Sequence, residues 1–189
     1  MAERLDYEPE IQTFLTWFRK NLCAGKRGND DAPFMPEESL MDYLESPGRV
    51  ARILRALWPN GDLPCSPDSV LRRCPKVLSI LLLIGMGHFI RQFHQYNNLC
   101  DSALPIGLEA GRPTNFPTTP DDANFYRKFY ETQWMFCVPE IHNVEDVFYS
   151  KEYILPIIHM ERLSESGSAV IYLIELLGSY NKLKSPQPV

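Results

Sequence analysis

Apolar positions in the first two thirds of the chain recur with a helical period. Ile11, Phe14, Leu15, Phe18 and Leu22 fall on one helical face, and Val50, Ile53, Leu54, Leu57 and Trp58 repeat the spacing. Pro36 to Glu45 reads as a short helix with acids in its first turn, where they meet the positive end of the helix dipole. Prolines mark the starts, since the first helical N–H has no partner to lose. Pro9 precedes "EIQTFLTWFRKNL", Ser46-Pro47 precedes "GRVARILRALW", Ser66-Pro67 precedes "DSVLRRC" and Thr119-Pro120 precedes "DDANFYRKFYETQWMF". In the last three a Ser or Thr stands where a capping side chain is favoured. Pro75 separates a short helix near Asp68 to Arg73 from a long buried one, Lys76 to Tyr96, which Gly85 and Gly87 weaken or open to close packing.

The segment Cys100 to Pro120 is rich in proline and glycine and reads as loop. An unusually aromatic helix follows. Phe125, Phe129 and Phe136 lie near one face, with Tyr126, Tyr130 and Trp134 near an adjacent one. So wide an apolar arc reads first as a core helix between two layers. The sharper alternative is a partner-docking helix presenting Phe129, Tyr130, Trp134 and Phe136, because aromatics are favoured interface anchors.

After Pro139 the period shortens. "VFYSKEYILPIIHMERL" and "AVIYLIELL" are rich in β-branched and aromatic residues and read as two strands, with "SESGS" as the turn between them. The expected architecture is mainly α: five or six helices in a bundle over 1–138, a β-hairpin over 139–178 and a disordered tail over 179–189.

Composition narrows the classes. With 189 residues and 44% hydrophobic positions the chain can bury a core. Its net charge of −5 speaks against a dedicated binder of nucleic acid or of anionic membrane. The apolar run Val77 to Ile90 falls short of the roughly 20 residues a spanning helix needs. The first ten residues lack a basic-then-apolar profile, so no secretory signal is expected and the cytoplasm is the expected compartment. Cys23, Cys65, Cys74, Cys100 and Cys137 are odd in number and make no C-x-x-C pair, which suits reduced, mostly buried thiols. His88, His94, His142 and His159 lack metal-ligand spacing, and no metal or cofactor is expected. The pairs Asp30-Asp31, Glu37-Glu38 and Asp121-Asp122 fit loops or first helical turns.

One stretch has the outline of a site. "LSESGSAVIY", Leu163 to Tyr172, is strand, turn and strand, the layout of a phosphate-cradling loop. In the kinase motif G-x-G-x-x-G-x-V, bare glycine backbone approaches the ATP phosphates. Here Ser164, Ser166 and Ala169 take the three glycine positions, Ile171 the valine position, and Gly167 is the one glycine left.

The block Phe129, Gln133, Trp134, Phe136 and Pro139, then Leu155-Pro156, then Leu163 to Leu176, resembles a stretch of certain filamentous-fungal kinase-like proteins. In those, a helical N-terminal region leads through a Q-W-x-F-x-x-P block and an "LP" segment into the glycine-rich loop of a kinase domain. The upstream segment from Arg49 to Ile90 is similar to their helical region, so the likeness spans most of the chain. The resemblance implies the first strands of a kinase small lobe. The departures are as informative. Each substituted glycine places a Cβ where phosphate must approach. Lys182 and Lys184 are near in distance, but "SYNKLKSPQPV" does not read as a V-A-I-K strand, and no H-R-D or D-F-G occurs. The expectation is a truncated, non-catalytic kinase-like module with a nonfunctional loop remnant at Ser164, Ser166, Gly167 and Ala169. It would act through a protein partner or through self-association. Two alternatives stay open: a fragment of a true kinase, and an unrelated helical domain that binds a small molecule.

Overall fold

The computed structural model describes residues 9–107, 111–142, 148–166 and 169–183. Helix α1 (Pro9–Lys20) turns Ile11, Phe14, Leu15 and Phe18 inward, as its spacing requires. An antiparallel pair follows, β1 (Cys23–Arg27) and β2 (Asp30–Phe34), closed by Gly28-Asn29 with Gly28 at φ +60. Helices α2 (Glu37–Leu44), α3 (Arg49–Leu57), α4 (Pro67–Arg73) and α5 (Pro75–Leu83) come next. A 3₁₀ turn over Gly87–Phe89 leads into α6 (Ile90–Gln95). After the proline-rich loop come α7 (Asp122–Gln133), the short β3 (Ile141–His142), the hairpin β4 (Ile157–Ser166) and β5 (Ala169–Leu176), and β6 (Asn181–Lys182).

The helices begin where the prolines place them, but the expected caps do not form. Gly48, Ser66 and Asp121 are the N-cap residues of α3, α4 and α7, and none makes a side-chain cap bond. The cap of α5 comes from far along the chain. The Asp101 carboxylate accepts the N–H groups of Lys76 at 2.8 Å and Val77 at 2.9 Å.

The long helix expected from Lys76 to Tyr96 is two helices. Gly85 adopts φ +75 and ends the first: Met86 N–H reaches Leu81 O at 2.7 Å, and Gly85 N–H reaches Leu82 O at 3.2 Å. Such a paired closure satisfies carbonyls that continuing α-helix would otherwise bond, and it needs a residue free to turn left-handed. α5 is buried nearly all round, with Val77, Leu78, Ile80, Leu81 and Leu82 in the core. Its one internal hydroxyl, Ser79, donates to Pro75 O at 2.8 Å.

The architecture is mixed α and β, which corrects the mainly helical expectation. Seven α-helices and three two-stranded sheets occur among the described residues. The region read as mostly helical contains the β1–β2 pair, and that pair positions the C-terminal end. Lys26 N–H donates to Leu155 O at 2.9 Å and Leu155 N–H returns to Lys26 O at 2.7 Å, so β1 lies beside the entrance to β4. Gly25 makes this approach feasible. A Cβ there would stand 2.7 Å from Leu155 O and 2.8 Å from Phe34 Cδ1.

Two cores result. The large one joins α1 through α7. The small one gathers Phe34, Trp134, Ile154 and Tyr180. Tyr180 meets Phe34 edge-on at 5.6 Å, and its hydroxyl accepts the Glu37 N–H at 3.0 Å. Residues 179–183, read from the sequence as tail, thus carry a buried anchor and the strand β6, which pairs in parallel with β3.

Candidate functional site

The aromatic helix is structural. Phe129 stacks on Phe93 at 5.1 Å and is fully buried. Phe136 packs on Phe18 at 5.7 Å in the same core, while Trp134 fills the small core against Tyr153 at 5.1 Å. A partner cannot reach these three without opening the interior. Of the four residues expected to dock a partner, Tyr130 alone is half exposed. The core-helix reading holds for Phe129, Trp134 and Phe136 because an apolar arc this wide is satisfied by two layers of the same molecule.

Gln133 explains the block around it. Its side chain is fully buried and brackets one loop residue: Oε1 accepts Ile106 N–H at 2.7 Å and Nε2 donates to Ile106 O at 3.0 Å. A buried amide with both ends matched to the backbone of one residue replaces a strand neighbour for that loop. No local pattern announces this pairing, since the partner lies 27 residues away.

The hairpin has the opposite character. β4 and β5 pair from Ile157↔Leu176 to Ser166↔Ala169, with irregularities between Ile157 and His159 and between Arg162 and Ser164. The ladder runs through the positions expected to form a loop. Ser164 lies opposite Ile171, and Ser166 opposite Ala169, so both serines expected in the turn stand on the ladder. Ser164 is exposed strand. Gly167, the last glycine of the supposed cradle, lies outside the described residues. Lys182, weighed as an ATP-contacting lysine, stands 3.6 Å from Glu140 Oε1 in an exposed ion pair.

Much of what the hairpin presents to solvent is apolar, beside the exposed His159, Glu161, Arg162 and Glu175. Leu163, Ile171 and Leu173 are 58%, 57% and 53% exposed, and Ile158, Val170, Tyr172 and Ile174 are also exposed. Alternation along β5 sends Val170, Tyr172 and Ile174 to one face and Ile171 and Leu173 to the other. A strand that is apolar on both faces is the pattern of an inner strand of a larger sheet.

The remaining reactive groups do not converge. His94 Nε2 sits 2.7 Å from Ser69 Oγ, and burial with the nearby Arg73 lowers its pKa. Burial also lowers that of His88, which lies on Phe89. His142 faces Glu140 at 3.3 Å, and His159 lies on β4 opposite Glu175. Cys74 and Cys100 are buried with sulfurs 3.0 Å apart, and burial raises the Cys74 thiol far above its ordinary range. Burial pushes Cys137 up to about 12. Raised thiols are poor nucleophiles at neutral pH. Burial pushes Asp101 up to about 6 despite its two N–H bonds, and its position explains it as the α5 cap. Among the described residues no group of three His, Cys, Asp or Glu side chains is placed to hold a metal ion.

A cavity of about 630 Å³ opens beside the proline-rich loop, lined in part by Pro105, Ile106, Arg112, Thr114 and Tyr153. Its cation is already engaged. The Arg112 guanidinium lies 5.3 Å over Phe116 and 5.8 Å over Tyr126 and donates to Pro117 O at 3.1 Å. No His, Asp or Glu among the described residues lines it. No helix among the described residues is long and apolar enough to cross a membrane. No protein-family model, curated protein or solved structure matches the chain.

Proposed function

We propose that this chain is a non-catalytic interaction module of kinase-like descent whose docking element is the hairpin β4–β5. The carrying observation is the set of seven large apolar side chains that this hairpin leaves in solvent, on both faces of β5. Solvated on both sides, seven large apolar side chains cost free energy that a partner surface would recover at roughly 25 cal/mol per Å² covered. The docking role moves from the aromatic helix, which is spent on the core, to the strands after it. The kinase-like part rests on the order of the Gln133-Trp134 block, Leu155-Pro156 and the Leu163 to Leu176 stretch. Ser164, Ser166 and Ala169 on the ladder, with no Mg²⁺-binding D-F-G in the sequence, support a loop without nucleotide chemistry. The module would work in the cytoplasm, without a cofactor and without nucleic acid.

Affinity capture from the source cell, with the natural chain and an Ile171→Asp, Leu173→Asp double variant side by side, tests the reading. A protein held by the first and lost by the second is the expected result. Identical recoveries would sink it, and micromolar Mg-ATP binding by calorimetry would sink its nucleotide-free part.

The same two-faced hairpin also favours a second reading, the opening strands of a larger kinase sheet. Sequencing the transcript beyond the Val189 codon decides it: an in-frame catalytic lysine, H-R-D and D-F-G would make this the start of an enzyme.

A further inference from the structure

The two edges of the hairpin are not alike. On the outer side of β4, β1 already occupies the base through the Lys26–Leu155 bridge. β4 also carries both register irregularities and the charged or titratable residues His159, Glu161, Arg162 and Glu165. Bulges and charges are the devices by which natural sheets blunt an edge against pairing. β5 has neither. Its eight residues, AVIYLIEL, hold one charge, Glu175, and no proline or lysine. Among the described residues no strand but β4 pairs with it.

Resting on the reading of the hairpin as a docking element, we infer that β5 pairs antiparallel with β5 of a second copy of this chain, giving the strand order β4-β5-β5-β4. Twofold symmetry supports the choice of occupant. In a symmetric antiparallel pair one residue must face its own copy, because facing residues share a side of the sheet. Two registers pair seven of the eight residues of β5, centred on Tyr172 or on Leu173. The first sets Glu175 against Ala169 and the second sets it against Ile171, so the single charge never meets itself. The edge is therefore complementary to itself in charge as well as in its hydrogen-bonding groups. Strand pairing of this length covers less than the ~1,200 Å² typical of stable interfaces, so the dimer is weak and reversible, with a Kd on the order of micromolar.

Sedimentation of the purified chain across a concentration series, with hydrogen exchange at both ends of the series, tests this. The expected result is a monomer–dimer equilibrium in which β5 amides exchange more slowly as concentration rises while β4 amides do not change. Leu173→Lys separates the dimer from the fold. Within the monomer residue 173 faces Glu161, so the lysine gains a cross-strand partner there. In the dimer it sits at the twofold axis or one residue from it, where two lysines repel. Association should weaken about tenfold or more with unchanged circular dichroism. A chain that stays monomeric at about a hundred times the expected Kd overturns the inference, as does a dimer without slowed β5 exchange. Either result leaves the interaction module standing if the paired capture still loses a partner with the double variant.

Discussion

Gln133 shows how much one side chain can hold. It is the sole buried side-chain amide that closes both backbone hydrogen-bonding groups of a loop residue, Ile106, among the described residues. Removing it does not return Ile106 to water. Gln133→Ala leaves a buried N–H and a buried C=O without partners, each worth about 1–3 kcal/mol. The expected loss is about 3 kcal/mol in urea unfolding, with the slope unchanged. A loss below about 0.5 kcal/mol, typical of surface positions, would mean that the loop does not depend on this clamp. In the sequence Gln133 was visible only as a member of a block. Its partner sits across a proline-rich loop, and no local period links a helix end to a loop peptide.

At the scale of elements, helices and the C-terminal hairpin were legible, and the other sheet contacts were not. Pro9, Pro67 and Pro75 announce helix starts because the penalty for proline vanishes in the first turn. The strands β1 and β2 gave no such signal: Gly25, Asp30, Asp31 and Pro33 are poor strand formers. What remained was the Gly28-Asn29 turn pair, a hairpin cue that only the structure gives weight. These two strands carry the joint between the helices and the C-terminal end, and Gly25 is its narrowest point. Gly25→Ala sets two effects against each other. The loss of unfolded-state freedom stabilises by about 0.4–1 kcal/mol. Forcing a methyl against Leu155 O, 2.7 Å from the Cβ position, costs more, typically 1–3 kcal/mol, because a backbone oxygen cannot rotate away. The net expectation is a melting temperature lower by roughly 3–8 °C. An unchanged or higher value would show that β1 does not pass so close to the entrance of β4.

Over the whole molecule, apolar residues fall into two populations that sequence alone could not separate. Leu78 and Leu173 sit in equally apolar runs, "VLSILLLIG" and "AVIYLIELL". The first run is wrapped by α1, α4, α6 and α7, and Leu78 is fully buried. The second extends past both cores, and Leu173 stays 53% exposed. The difference is set by what surrounds each run, which is a tertiary property. It has a measurable consequence. Leu78→Ala removes buried methyl groups and leaves a cavity, at a cost of about 2–5 kcal/mol. Leu173→Ala removes groups already in water and should change the stability of the monomer by less than about 0.5 kcal/mol. Urea unfolding at a concentration low enough to keep the chain monomeric compares the two directly, and binding of a hydrophobic dye supplies the second axis. The dye signal should fall for Leu173→Ala and hold for Leu78→Ala under native conditions. Similar losses of stability for both would mean that the hairpin is packed against its own molecule, and the surface on which an interaction module depends would not exist.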